Sequence, residues 1–292
     1  MSTQAVPKLP GATLTGPRLR HLKTVANGVS ALSPVLWLRQ AGFTATPGGV
    51  ITSWPSEVGG FAPENAGWHD ANPFSPPKAT SLLVVPNAFK GTDVVRFGQD
   101  AANANERDVG LWNAHNAAFD LGTAVGGLTI AAALRLLPPV GSVGTSVSQV
   151  LAMLGNGDPT TGSTFDHGFG FTYGTSSSTF QLYMNGSVGT VNMTGGAALQ
   201  NAFGFVCFAI NQTGSGSGAI DGYVNSTQVL TASAYTGKGA ASSSYPLLIG
   251  RPQASSGSGV AAQVDIADFV LFQSYLNSAQ VTQLMNSLMG NL

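Results

Sequence analysis

The segment Trp68-His69-Asp70-Ala71-Asn72, set between Gly67 and Pro73, places an indole, an imidazole, a carboxylate and an amide in one loop. Such groups hold sugars, because a pyranose stacks flat on an indole while amide, acid and imidazole bond its hydroxyls. Trp112, followed by Asn113 and His115, is a second set of the same kind. Trp68, His69, Asp70, Asn72, Trp112 and His115 are therefore the candidate glycan contacts. The competing role for each Trp is to anchor a long loop on the body of the fold. Trp37 and Trp54 fall in strand patterns and belong to the core or a sheet surface.

Other chemistry has little raw material. Charged residues make up 9% of the 292-residue chain, against about 25% in an average soluble protein, and Glu occurs only at Glu57, Glu64 and Glu106. His21, His69, His115 and His167 show no zinc spacing, and Asn156 to Gly162 begins like a calcium loop but lacks its closing acid. Lone Cys207 has no partner for a disulfide. Gly214-Ser-Gly-Ser-Gly218 matches a nucleophile elbow only as a repetitive hairpin loop, and no phosphate cradle opens a helix after a strand. The expectation is a protein with no catalytic residues, no metal and no cofactor.

The elements that must position the candidate residues follow from periodicity. Lys8, Arg18, Arg20, Lys23 and Arg39 precede the first acid, so residues 1–56 carry +5 and the remainder −6. Within this arm Leu19, Leu22, Val25, Ala26, Val29 and Leu32 follow Pro17 at helical spacing and predict a short amphipathic helix. From residue 34 the period changes to short apolar or alternating runs separated by Gly, Pro, Asn and Asp: 35–38, 81–85, 94–97, 128–134, 150–154, 168–173, 179–184, 203–210, 219–230, 245–249 and 264–272. Asn185-Gly186 predicts a tight hairpin after the strand of Phe180, Leu182 and Met184. Asn277 three residues before Gln280, then Val281, Leu284, Met285, Leu288 and Met289, predict a capped C-terminal helix across a sheet edge or on a neighbour. The chain is thus read as all-β, a two-sheet antiparallel jelly-roll sandwich over 34–292, with a basic arm and short helix over 1–33 and a helix at its end.

The stretch from Phe205 to Leu284 resembles the C-terminal half of a laminin-G-like, concanavalin A-like jelly roll. The resemblance lies in Phe205-Val-Cys-Phe-Ala-Ile-Asn211, Asp221-Gly-Tyr-Val-Asn225, Leu247-Leu-Ile-Gly250 and Asp265-Ile-Ala-Asp-Phe-Val-Leu-Phe272, taken in that order. Upstream, 33–38, Val50-Ile-Thr-Ser-Trp54 and 94–97 look like the first strands of phage and bacterial members, although Pro55-Ser-Glu-Val-Gly59 replaces the usual acidic turn. Retaining glucanases of this superfamily carry alternating carboxylates on one strand, and Gln263-Val-Asp-Ile-Ala-Asp268 has similar spacing. Gln263 stands where their nucleophile would be, and an amide cannot form the glycosyl ester. Asp265 and Asp268 are then polar residues of a lectin-like strand.

The resemblance, with a basic arm on a Gly-, Ser- and Thr-rich body, implies a bacteriophage virion component: capsid decoration, head fibre or tail protein. Its arm, through Lys8, Arg18, Arg20 and Lys23, is expected to dock on other virion proteins or on copies of itself, and its sandwich to face outward with glycans as candidate ligands. No apolar run follows the first charges, so no secretory signal is expected and the location is the virion. The net acidic body and the lack of aromatics among the arm's bases argue against nucleic acid. The longest apolar stretch, 128–140, is broken by Arg135 and Pro138-Pro139 and is too short to span a membrane. The alternative is a stand-alone bacterial carbohydrate-binding module.

Overall fold

The computed structural model describes residues 28–39, 42–45, 49, 51–64, 82–98, 110–120, 126–138, 148–154, 169–184, 191–214, 217–236, 246–250 and 260–290. Strands are numbered in chain order. An eight-stranded sheet runs β14 (Thr227–Thr236), β13 (Ser217–Val224), β12 (Gly204–Gly214), β7 (Gly126–Leu136), β17 (Val264–Phe272), β5 (Thr92–Phe97) and β4 (Leu82–Phe89), and β1 (Leu36–Leu38) pairs with the later half of β17. A seven-stranded sheet runs β11 (Val191–Met193), β10 (Thr179–Met184), β9 (Phe169–Gly174), β8 (Ser148–Leu154), β15 (Leu247–Ile249) and β6 (Leu111–Asn113), with β16 (Val260–Ala261) beside β8. A small ribbon joins β2 (Thr44–Ala45) to β3 (Ile51–Ser53). Only β16 with β8 is parallel among these described pairings. The chain changes sheet repeatedly, β6 and β8 lying in one and β7 in the other, which makes this a two-sheet β-sandwich of the kind the strand pattern predicts.

Alternation decides what fills the space between the sheets. Val206, Phe208 and Ile210 of β12 point inward with Ile266 and Phe269 of β17, and they meet Phe171 of β9 and Phe180 and Leu182 of β10. Phe171 stands edge-on to Phe208 at 5.6 Å, which locks the two sheets in register. The opposite side chains of β12, Phe205, Cys207 and Ala209, are equally buried. They lie beneath the C-terminal helix (Ser278–Met289), whose Val281, Leu284, Met285 and Leu288 complete a second apolar layer. Strands buried on both faces read as unbroken apolar runs, and the small Ala131, Ala133, Ala209 and Ala267 let the helix sit close to the sheet.

Local expectations fare unevenly. The capping box is present: Gln280 N donates to Asn277 Oδ1 at 3.1 Å and Asn277 N to Gln280 Oε1 at 3.0 Å. The helix lies on the outer face of the larger sheet, not across an edge, because that face carries its own apolar cluster. Asn185-Gly186 lies outside the described residues; the strand before it, β10, pairs antiparallel with β11, Leu182 opposite Val191. Two-residue turns occur at Lys90-Gly91, where both φ angles are positive (50° and 76°) between paired Phe89 and Thr92, and at Asn225-Ser226, where Asn225 has φ 52°. Residues 28–30 are helical, and Val29 joins the outer cluster beneath the C-terminal helix.

Candidate functional site

Trp68, His69, Asp70 and Asn72 lie outside the described residues, as do Lys8, Arg18, Arg20 and Lys23. Trp112 is half-buried on the outer face of the smaller sheet, where it flanks the buried cluster of Val150, Met153 and Leu248 with Tyr183 on the other side. Its backbone is fixed by Leu248 of β15 and by a two-way bridge to Glu64, N to O at 2.9 Å and O to N at 2.8 Å. His115, three residues on, sets its Nε2 3.0 Å from Asp120 Oδ1. The pair ties the loop to the short turn Ala117–Phe119, which Asn116 caps through its own Oδ1.

A cavity of about 280 Å³ opens elsewhere, where β7 ends, and none of its lining residues was singled out by the sequence. Leu136, Leu137 and Pro138 give it an apolar wall; Gln149 of β8, Tyr173 and Thr175 at the end of β9, and Gln200 and Asn201 give it polar groups. Gly196 N donates to Ser178 O at 3.1 Å, which closes a 3-10 turn (Gly196–Leu199) over the β9–β10 turn. A Cβ on Gly196 would lie 2.5 Å from Cε2 of Tyr173, so only glycine lets the ring seat. Asn201 follows with φ 63°, a left-handed conformation that Asn tolerates, and its N donates to Leu136 O at 3.0 Å. These links make the cleft part of the rigid body.

Its donors and acceptors are arranged by the same frame. Tyr173 OH accepts from Gln200 Nε2 at 3.0 Å, and Gln149, 2% exposed, accepts the Gln263 amide N–H on its Oε1 at 2.9 Å. The Nε2 of Gln149 bonds nothing among the described residues and is left to the cleft. No lining residue among those described is charged. Amides, hydroxyls, one aromatic ring and an apolar wall, without charge, suit a neutral polyhydroxylated ring better than an acid or a cation.

The strand with glucanase-like spacing is occupied by structural bonds. Asp265, fully buried, receives Arg96 through Nε at 2.7 Å and Nη2 at 2.9 Å, and Arg135 through Nε at 3.1 Å and Nη2 at 2.5 Å. The Asp265 hydrogen bond holds the Arg96 guanidinium above its ordinary pKa, against the opposing effect of burial. A bulge between Ile266 and Asp268 turns Ala267 and Asp268 together to the outer face, where Trp37 Nε1 donates to Asp268 Oδ1 at 3.0 Å. Among the described residues no group of three or more His, Cys, Asp or Glu could hold a metal, and no helix is long and apolar enough to cross a membrane.

No protein family and no curated protein matches this sequence. Solved structures do resemble it. A Trypanosoma rangeli sialidase in complex with 2,3-difluorosialic acid is 16% identical at a TM-score of 0.49, over 94% of this chain and 38% of that one. A mutant of the same organism's sialidase displaying trans-sialidase activity is 14% identical with a TM-score of 0.50, over 93% and 38%. The binding domain of Paraclostridial Mosquitocidal Protein 1 is 13% identical with a TM-score of 0.53, over 86% and 52%. The chain thus spans well under two thirds of each. At these identities the likeness, carried by the latter two, is one of fold: a jelly-roll-like sandwich that occurs in a sialidase and in the binding domain of a mosquitocidal protein.

Proposed function

We propose that this chain is a carbohydrate-binding sandwich, not a hydrolase, whose cleft takes one neutral sugar unit. The observation that carries the reading is the buried amide of Gln149 at the wall of an uncharged cleft, with Tyr173, Thr175, Gln200 and Asn201 around it. A sugar ring would lie against Leu136, Leu137 and Pro138 while the amides and hydroxyls read its oxygen atoms. One such site is weak, and useful attachment requires many copies on one particle. The loop of Trp68, His69, Asp70 and Asn72, with Trp112 and His115, is the proposed place for further sugar contact.

The display surface in this reading is a bacteriophage virion. Four bases and no acid in residues 1–33, ahead of a lectin-like body poor in charge, support an arm that docks on virion subunits or on copies of the same chain. Two experiments test the two halves. Multivalent protein on an array of neutral and acidic glycans should retain neutral ones, and Gln200→Ala with Asn201→Gly should release them without lowering the melting temperature; retention by the double variant contradicts the cleft. Deleting residues 1–27, which stops short of buried Val29, should abolish incorporation into particles while leaving the sandwich folded. Unaltered sugar binding by a chain that no particle contains would instead identify a stand-alone module.

A further inference from the structure

The outer face of the larger sheet carries a row of groups that the cleft does not use. Register places Arg96 of β5 and Arg135 of β7 on either side of Asp265, so two guanidiniums share one carboxylate. Each spends its Nε and Nη2 on Asp265, and neither has another hydrogen-bond partner among the described residues. Their side chains remain 37% and 24% exposed, whereas Asp265 is fully buried. The next carboxylate on the strand, Asp268, receives the Trp37 indole.

Arg135 is held in a second way, its Cζ lying 4.8 Å from the centre of the Phe203 ring. Phe203 in turn meets Phe89 at 4.8 Å, and Lys90 Nζ sits 5.7 Å over Phe89. Burial lowers the Lys90 ammonium's pKa. Two cations thus border an aromatic pair, and the carboxylate of Asp265 joins one of them, Arg135, to Arg96. A guanidinium fixed along one edge offers its remaining Nη1 and Nη2 donors in a planar fork that matches an oxyanion.

We propose that Arg96 and Arg135, with Lys90 at the margin, form a binding site for an oxyanion, a sulfate or carboxylate group, on the face of the sandwich opposite the smaller sheet. The site is independent of the neutral-sugar cleft. Asp265 is its positioning residue, since it orients both forks and keeps the row from being repulsive without cancelling its charge. Anion affinity comes from two guanidiniums that share the single carboxylate of Asp265 as their hydrogen-bond partner among the described residues.

Calorimetric titration of the full chain with sodium sulfate, against sodium chloride at equal ionic strength, tests the proposal. Saturable sulfate binding is expected, and Arg96→Met and Arg135→Met should each weaken it about tenfold, as the loss of a charge-assisted contact implies. Each variant leaves Asp265 one guanidinium, and Arg96→Lys, which keeps the charge and loses the fork, serves if a Met variant fails to fold. Galactose 6-sulfate binding more tightly than sulfate would place the oxyanion on a glycan; equal affinity would point to a free anion. Chloride binding as well as sulfate, no saturable binding, or binding unchanged in both Met variants would overturn the site. Gln200→Ala should leave sulfate affinity intact and weaken neutral sugars, so failure here and failure of the cleft are separable.

Discussion

Gln149 and Gln212 are both buried at the margins of the same sandwich, the first beside Leu136 where β7 ends, the second opposite Gly126 where β7 begins. Gln149 accepts a backbone N–H and faces a cavity of about 280 Å³. Gln212 is fully buried, and neither its Oε1 nor its Nε2 has a hydrogen-bond partner. Gly218 lies between Gln212 and Tyr235 in the register, and the Tyr235 hydroxyl is buried without a partner as well. One end of the sandwich holds polar groups that are anchored and open to a ligand, while the other seals similar groups away from water. A buried amide or hydroxyl left unpaired costs about 1–3 kcal/mol, so the cleft end is the one where polarity has been placed for use.

The largest effect is expected beside the cleft, on the outer face of the larger sheet. Asp265→Ala leaves Arg96 and Arg135 facing each other and should cost about 3 kcal/mol in denaturant unfolding, less than a sealed pair would because both arginines reach solvent. Gln149→Met should cost about 2 kcal/mol by stranding the Gln263 N–H, whereas Gln212→Met, close in shape and without polar demand, should stabilise by about 1 kcal/mol. Equal losses from both would erase the distinction between the ends.

A smaller effect is expected at alkaline pH. Burial pushes Tyr235 up to about 12 from 10.0, and burial with Asp221 nearby does the same for Tyr223 and Tyr275. The unfolded chain releases these protons near pH 10 while the folded chain keeps them, so stability is intact below pH 10 and falls as pH rises toward 12. Tyr235→Phe should flatten that fall and leave neutral-pH stability unchanged or slightly higher, as melting curves across this range would report. The smallest change is Asn201→Gly, which keeps the left-handed backbone and should shift stability by only a few tenths of a kcal/mol.

Legibility in the sequence tracked the range of the interactions. The Asn277–Gln280 box and the Val281 to Leu288 stripe are local, and both stand as the spacing implies. The runs at 203–210 and 264–272 named strands correctly because burial on both faces keeps them apolar apart from Asp265 and Asp268, whose carboxylates are taken up by Arg96, Arg135 and Trp37. The tight turns at Lys90-Gly91 and Asn225-Ser226 were not read from the sequence, because neither carries the Asn-Gly dipeptide. The cleft was invisible: Gln149, Tyr173 and the Gln200-Asn201 pair sit on three separate segments, and glutamine on a strand carries no signal of its own. The Gly-Gly at 195–196 ahead of Gln200 was the available hint, since a glycine that seats a ring marks a close approach.

The central claim, a neutral sugar held in the cleft, is tested most directly by titrating the isotope-labelled chain with methyl glycosides of neutral hexoses and following backbone amide resonances. Saturable shifts at Thr175, Gln200 and Asn201, with millimolar affinity and none from methyl glucuronide, are the result this account predicts. Shifts confined to residues around Trp112, or a charged sugar binding more tightly than every neutral one at the cleft, would contradict it.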